Sequence, residues 1–382
     1  PSMYRSGLDV IPGSGMDETA NHLFCEFVDK TKAIASSSEQ KRRVLGNEKA
    51  PEQSLGRERV VLYSRSFDDF LHGFQDGLEW NGSEVEILRR TKPLAEFVSS
   101  ELSWRESCGY IPDIVTGFNL SGFEPEELKA MGEFGVKKIV WFYDNPQRFD
   151  LSPDYLALAD LLLTFDPHHA ERLRPMTDVP VETLRTATSF ADGPPQALLA
   201  GAEPPKISFV GSSGLQRMQE FAFAMESVLK PLRAIVERLI SEWRGRGRDS
   251  VRLHSELESL PLRSPQLSRA SLLRLLEEYS SMLLRLDYLK IAEPYGLRIY
   301  GDPGWASTDI PGTFPNAYTG HAPAYWKETP WIYSNSLINL NIFHVQCMDA
   351  PTVRVYDILA CGGFLLTEYR PCLEEEFAVG EE

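Results

Sequence analysis

Short β-rich runs alternate with helix-patterned stretches along this chain, and the alternation restarts once. The first series begins at RVVLYS and continues through SEVEIL, DIVTGFNL, KKIVWFYDNP and LLLTFD. Between these runs lie segments of helical spacing. FDDFLHGFQDGLEWNG stops at Asn81-Gly82, and EPEELKAMGEFG carries acids in its first turn and Gly135 near its end. SPDYLALAD opens on a serine cap followed by proline. Such alternation predicts an open, mostly parallel sheet covered by helices. ADGPPQALLAGAEPP, rich in Pro, Gly and Ala, reads as a linker, after which KISFVGS restarts the pattern.

The expected organisation is a helical or partly disordered extension over residues 1–56, an α/β domain over 57–190, a linker over 191–205 and a second α/β domain over 206–382. From 221 to 290 the helical spacing runs longer than one crossover requires and reads as an added helical layer. Two such domains imply a cleft at the carboxyl ends of their strands, where ligands of open α/β sheets bind.

Charge and cysteine usage narrow the classes. The 39 basic against 55 acidic residues give a formal charge of -16, which disfavours a broad nucleic-acid surface but leaves room for a local basic pocket. The five cysteines include no CxxC pair, which argues against a disulfide framework or a zinc site. No run of about 18 apolar residues suggests a membrane span, and the N-terminus lacks a signal-peptide core, so a reducing, cytoplasmic setting is expected. Neither a Walker sequence nor a GxGxxG loop occurs, which disfavours a kinase or a simple dehydrogenase. His168 and His169 follow Asp166, but adjacent side chains on a helix do not face together, so a metal role is not expected.

The segment WIYSNSLINLNIFHVQCMDAPTVRVYDILACGGFLLTEY, ending at Tyr369, concentrates the chemistry. Its strings NSLINLNIFHV and RVYDILACGGFLLTEYR, with LEEEFAVGEE at the end, resemble the donor domain of GT-B glycosyltransferases. The nearest likeness is to the spore-maturation-protein CgeB-like group of family-1-type transferases. ISFVGSSGLQR resembles the start of that domain, and PDIVTGFNL and IVWFYDNPQRFD resemble parts of the N-terminal domain. The resemblance implies two Rossmann-like domains facing across a cleft and a metal-independent transferase with no tightly bound cofactor. The second domain would bind a nucleoside diphosphate sugar, with a mild preference for UDP-sugars, and the first an unidentified hydroxyl acceptor. Asp357 falls where the family commonly places a glutamate on the ribose hydroxyls. The family usually continues past the point where this chain stops, so truncation is an expectation.

Each candidate residue has a plain alternative. Gly211, Ser212 and Ser213 sit between a strand and a helix, where free N–H groups favour a diphosphate, or they form an ordinary turn. Arg217 could neutralise phosphate or simply lie on the surface. Gly301, with Tyr300 or Trp305 beside it, could frame the base, or Trp305 could pack a structural turn. His321 is a loop histidine that could face phosphate or base. Asn339 alternates with apolar residues on a strand and needs partners if buried. Thr352 is a cap or a phosphate contact. Arg354 and Asp357 share a helical face, either as an ion pair or as diphosphate and ribose ligands. In the first domain His72 and Asp144 are the base candidates. A non-catalytic protein keeping the same fold, or a nucleotide-sugar epimerase, would share most of these features.

Overall fold

A computed structural model describes residues 59–64, 74–79, 83–89, 111–119, 125–190, 203–227, 230, 233–245, 250–259, 268–307 and 314–377. The extension over 1–56, most of the linker and His72 lie outside the described residues.

Six strands build the first sheet: β1 (Arg59–Ser64), β2 (Glu84–Arg89), β3 (Ile114–Phe118), β4 (Lys137–Phe142), β5 (Leu161–Thr164) and β6 (Val181–Thr183). Their order is β2-β1-β3-β4-β5-β6, and every pairing is parallel. Helices α1 (Pro125–Glu133), α2 (Pro153–Leu156) and α3 (Pro167–Leu173) form part of its connections. The serine cap read from the sequence is present: Ser152 accepts a hydrogen bond from the Tyr155 N–H. Asp166 caps α3 in the same manner, through the His168 N–H.

The second sheet contains β7 (Ile207–Val210), β8 (Leu297–Tyr300), β9 (Ile338–Asn341) and β10 (Leu365–Thr367) in the order β10-β9-β7-β8, again all parallel. The extra helical layer lies within the β7-to-β8 crossover: α4 (Leu215–Glu226), α5 (Arg233–Gly245), α6 (Ser250–Glu258) and α7 (Arg269–Ala292). Helices α8 (Thr329–Asn335), α9 (Val353–Ala360) and α10 (Pro371–Glu376) follow among the described residues. Strands of parallel sheets are covered on both faces, and β9 is buried at all four positions. Asn339 survives there because each end of its amide is bonded. Its Oδ1 accepts from Ser208 Oγ (2.7 Å), and its Nδ2 donates to the Tyr333 and Phe364 carbonyls.

Both domains are therefore Rossmann-like, as the alternation predicted. Their strand ends meet at one seam. Phe165, at the end of β5, packs with Phe343, Cys347, Val355 and Leu373 of the second domain. Beside that apolar contact, Asp166 Oδ2 accepts from the backbone N–H groups of Met348 (2.7 Å) and Asp349 (2.9 Å). Helix α7 is buried around most of its circumference because it packs against α4 and reaches the 146–148 turn of the first domain.

Candidate functional site

In the second sheet, β8 lies on one side of β7 and β9 on the other, so the winding direction reverses beside β7. A crevice at the carboxyl ends of β7 and β9 follows from that reversal. The loop opening there starts at Gly211, whose N–H donates to the Tyr300 carbonyl and whose carbonyl accepts from Trp305 Nε1 (2.9 Å). A Cβ added to Gly301 would lie 2.1 Å from the Gly211 oxygen, so the two loops touch backbone to backbone. Trp305 is fully buried and packs edge-on against Phe209 and Phe314. It supports the loop from beneath and is not placed to stack on a base.

The next two residues also differ from the simple picture of an open helix N-terminus. Ser213 donates through its N–H to Asp302 Oδ2 (2.7 Å) and through Oγ to Oδ1 (2.5 Å), and Gly304 N–H adds a third bond (2.9 Å). Burial works against the Asp302 charge, but the bonds from Ser213, Ser212 and Gly304 outweigh it and hold the carboxyl below its usual range. Gly214 N–H and Leu215 N–H are taken by Ser212 Oγ and Ser213 Oγ. A protein carboxylate thus occupies the seat that a phosphate would take at this turn. Arg217 points along α4 to Glu220 (2.7 Å), and the exposed His321 pairs with Glu328 (3.0 Å).

Two guanidinium groups converge on the same loop. Arg285, from α7, donates to the Ser212 carbonyl (3.2 Å), while its Nε is buried with no protein partner. Burial, and after it the neighbouring Arg354, push the Arg285 pKa down to about 10, against the opposing pull of Glu278 and Asp302. Arg354, from the first turn of α9, brings Nη2 within 3.7 Å of the position a Cβ on Gly211 would occupy. Its guanidinium lies 5.9 Å from the Phe209 ring centroid and hydrogen-bonds the Tyr333 side chain. Like charges held together in a poorly solvated crevice favour an anion between them. Thr352 caps α9 by position, with its hydroxyl 3.4 Å from Asn341 Oδ1.

Arg354 and Asp357 share a helix face, but no ion pair joins them. Asp357, only 1% exposed, accepts from Thr188 Oγ1 (2.8 Å) on one oxygen and from Tyr325 OH (2.9 Å) on the other. Burial raises its pKa to about 6, despite the opposing effect of both hydroxyls and of Arg354. Two hydroxyls on separate oxygens is the pattern a vicinal diol would present.

Asp144, at the end of β4, accepts from Asn119 Nδ2 (2.8 Å), Gln346 Nε2 (2.9 Å) and Arg148 Nη1 (3.2 Å). Asn119 adopts a left-handed backbone (φ 56), and its Oδ1 accepts from the N–H groups of Tyr143 and Asp144, which fixes this corner. Arg148 crosses the seam. It reaches Glu277 (3.2 Å) and Glu278 on α7 and donates to Gln346 Oε1 (2.8 Å). Glu277 is completely buried and also faces His254 Nε2 (2.8 Å) and Asn145 Nδ2 (2.8 Å). Burial raises its pKa, but His254, Arg148 and His344 prevail and keep it ionised. His344 receives the Gln346 N–H on Nδ1 (3.2 Å), and its Nε2 stands 3.4 Å from Glu278.

Of the residues singled out from the sequence, the structure brings Arg354 to the Gly211 loop and places Asp357 and Asp144 among hydrogen-bond donors; Arg285, Arg148, Glu277, Glu278, Gln346, Thr188 and Tyr325, which surround them, were not singled out. The available signal was charge inside the apolar pattern of LLRLLEEYSSMLLRLD, where Glu277 and Arg285 interrupt a buried helix. Among the described residues no group of three His, Cys, Asp or Glu side chains is arranged to hold a metal, and no helix is long and apolar enough to cross a membrane.

A family model described as glycosyl transferase-like matches residues 282–382, the section that carries Arg285, Arg354 and Asp357. No curated protein matches the chain. Solved structures similar in fold include a trehalose-6-phosphate synthase studied for glycosyltransfer with retention, at 13% identity, covering 83% of this chain and 86% of that one, with a TM-score of 0.37. Another is OtsA in its apo form, at 10% identity, covering 84% and 86%, also with a TM-score of 0.37. At these scores the fold assignment rests on the sheet topology described above.

Proposed function

We propose that this chain is a GT-B-type glycosyltransferase of the CgeB-like kind, moving a sugar from a nucleoside diphosphate sugar to a hydroxyl acceptor in the cytoplasm. The observation that carries the reading is the convergence of Arg285 and Arg354 on the Gly211 loop at the sheet's switch point. Two guanidiniums there would bind the donor diphosphate and stabilise the charge that develops as it leaves, which removes the need for a divalent ion. Asp357 would accept the ribose hydroxyls in place of Thr188 and Tyr325. Asp144, about one-third exposed and on the first-domain side of the seam, is the described carboxylate best placed to take the acceptor proton. A uracil base is the preferred donor nucleobase.

Titration calorimetry with UDP tests the reading. Arg285→Met or Arg354→Met should each weaken binding at least ~tenfold, since a hydrogen bond to a charged group is worth roughly 1.5–3 kcal/mol. If the intact chain binds no nucleoside diphosphate, the proposal is wrong. The occupied oxygens of Asp357 favour a second reading, in which the domain binds donor without turning it over. UDP-sugar binding without UDP release across a panel of acceptors would select it.

A further inference from the structure

Asp357, the residue proposed for the ribose, is 1% exposed, so no ligand reaches its carboxylate until a covering side chain moves. Part of that cover comes from the first domain. After β6, Leu184 N–H donates to the Thr164 carbonyl (2.8 Å), and residues 185–190 then cross onto the second domain without regular secondary structure. Arg185 pairs with Glu375 (2.8 Å) and Glu376 on α10. Thr186 Oγ1 donates to the Pro351 carbonyl (3.2 Å), just ahead of α9. Thr188 Oγ1 donates to Asp357 Oδ1 (2.8 Å). Phe190 ends the crossing, buried against Tyr333, Ile358 and Cys361, with its ring 4.8 Å from Tyr325 and edge-on to Trp326.

Side chains hold this segment in place, and the main chain does not. Among the described residues no backbone–backbone hydrogen bond joins 185–190 to the second domain, and the Phe190 N–H turns back to Thr188 Oγ1 (3.0 Å). Such a segment is released by breaking a few side-chain contacts, and the partly exposed Arg185 pairs among them are worth little in water. The exchange at Asp357 is balanced. A vicinal diol brings two O–H donors, and Thr188 and Tyr325 together fill the same two places. Phe190 packs on Tyr325, so one movement withdraws the Thr188 hydroxyl and uncovers Tyr325.

We propose that residues 185–190 form an autoinhibitory strap, in which the Thr188 hydroxyl takes the place of a ribose hydroxyl on Asp357 and lifts away for a nucleoside diphosphate to bind. This rests on the donor reading of Asp357 and adds that the free protein holds that site shut from the first domain. Donor binding and the strap's contact with α9 are then opposed, because both use the same carboxylate oxygen.

Thr188→Val keeps the side-chain shape and removes the competing hydroxyl. Titrated with UDP at pH 8, above the Asp357 pKa of about 6, it should bind at least about tenfold more tightly than the parent, the worth of one hydrogen bond to a charged group. Thr188→Ser, which keeps the hydroxyl, should fall with the parent. Trypsin supplies a readout on the unaltered chain: cleavage after Arg185 should quicken when UDP is added. A Thr188→Val affinity equal to or weaker than the parent's, or cleavage that UDP leaves unchanged or slows, would overturn the strap. If UDP still binds in those experiments, the donor reading stands without it. Absence of UDP binding by both the parent and Thr188→Val removes the two together.

Discussion

Replacing Arg148 by alanine should destabilise the protein by about 3–5 kcal/mol, the range for breaking a buried ion pair from one side. The geometry supports that range. Arg148 Nε is 3.2 Å from Glu277 Oε2, with the arginine side chain 7% exposed and the glutamate 0%. At an effective dielectric of about 20, unit charges at this separation attract by roughly 5 kcal/mol. Solvent cannot replace the lost partner, and among the described residues His254 and Asn145 are the direct contacts left on Glu277, with His344 acting at longer range. A loss of this size should lower the melting temperature by about 6–10 °C, taking about 2 °C per kcal/mol for a long chain. Scanning calorimetry of Arg148→Ala, Glu277→Gln and the double variant checks both size and cause. The double variant should be less destabilised than the sum of the single ones, because removing both charges leaves neither bare. Additive losses, or a drop under about 2 °C for Arg148→Ala, would refute the argument that the buried carboxylate dictates the cost.

Further outcomes follow from the donor side. Asp357 has a pKa raised to about 6 in the folded state from a usual value of 3.8. Folding therefore favours its protonated form, and that contribution to stability is lost as pH rises through about 6. Asp357→Asn should accordingly gain on the parent protein between pH 4 and 7, by up to ~3 kcal/mol for two pKa units, and urea melts at both pH values measure the gap. In the parent, UDP affinity should strengthen over the same interval as the carboxylate ionises, whereas a flat profile would remove Asp357 from the proposed ribose site. Gly301→Ala should disturb the Gly211 loop, because its Cβ would lie 2.1 Å from a backbone oxygen. UDP binding should weaken, with the far-UV spectrum unchanged.

The alternation of strand and helix was legible because both sheets are parallel and buried on both faces, which leaves long apolar runs separated by caps. β9 shows how far that reading extends. The alternation around Asn339 showed that it would need partners if buried, but only the fold supplied Ser208, Tyr333 and Phe364, and Thr367 for its neighbour on the strand, Asn341. Arg354 and Asp357 could be singled out because they share one short helix. Arg285 could not, because it reaches the Gly211 loop from a helix far along the chain. Trp305 looked available to a ligand beside its glycines, yet Phe209 and Phe314, remote in sequence, enclose it. Thr188, from the first domain, and Tyr325, from a loop of the second, became visible only once the fold placed both at Asp357.

The carboxylate of Asp302 has a consequence for how the β7 loop meets a ligand. By holding Ser213 and Gly304 itself, it fixes the turn with its own chain, so the backbone there does not wait for an incoming phosphate to become ordered. The entropy lost on binding would then fall on side chains such as Arg285 and Arg354 and not on the main chain, which makes affinity sensitive to their rotamers and spares the loop a folding step.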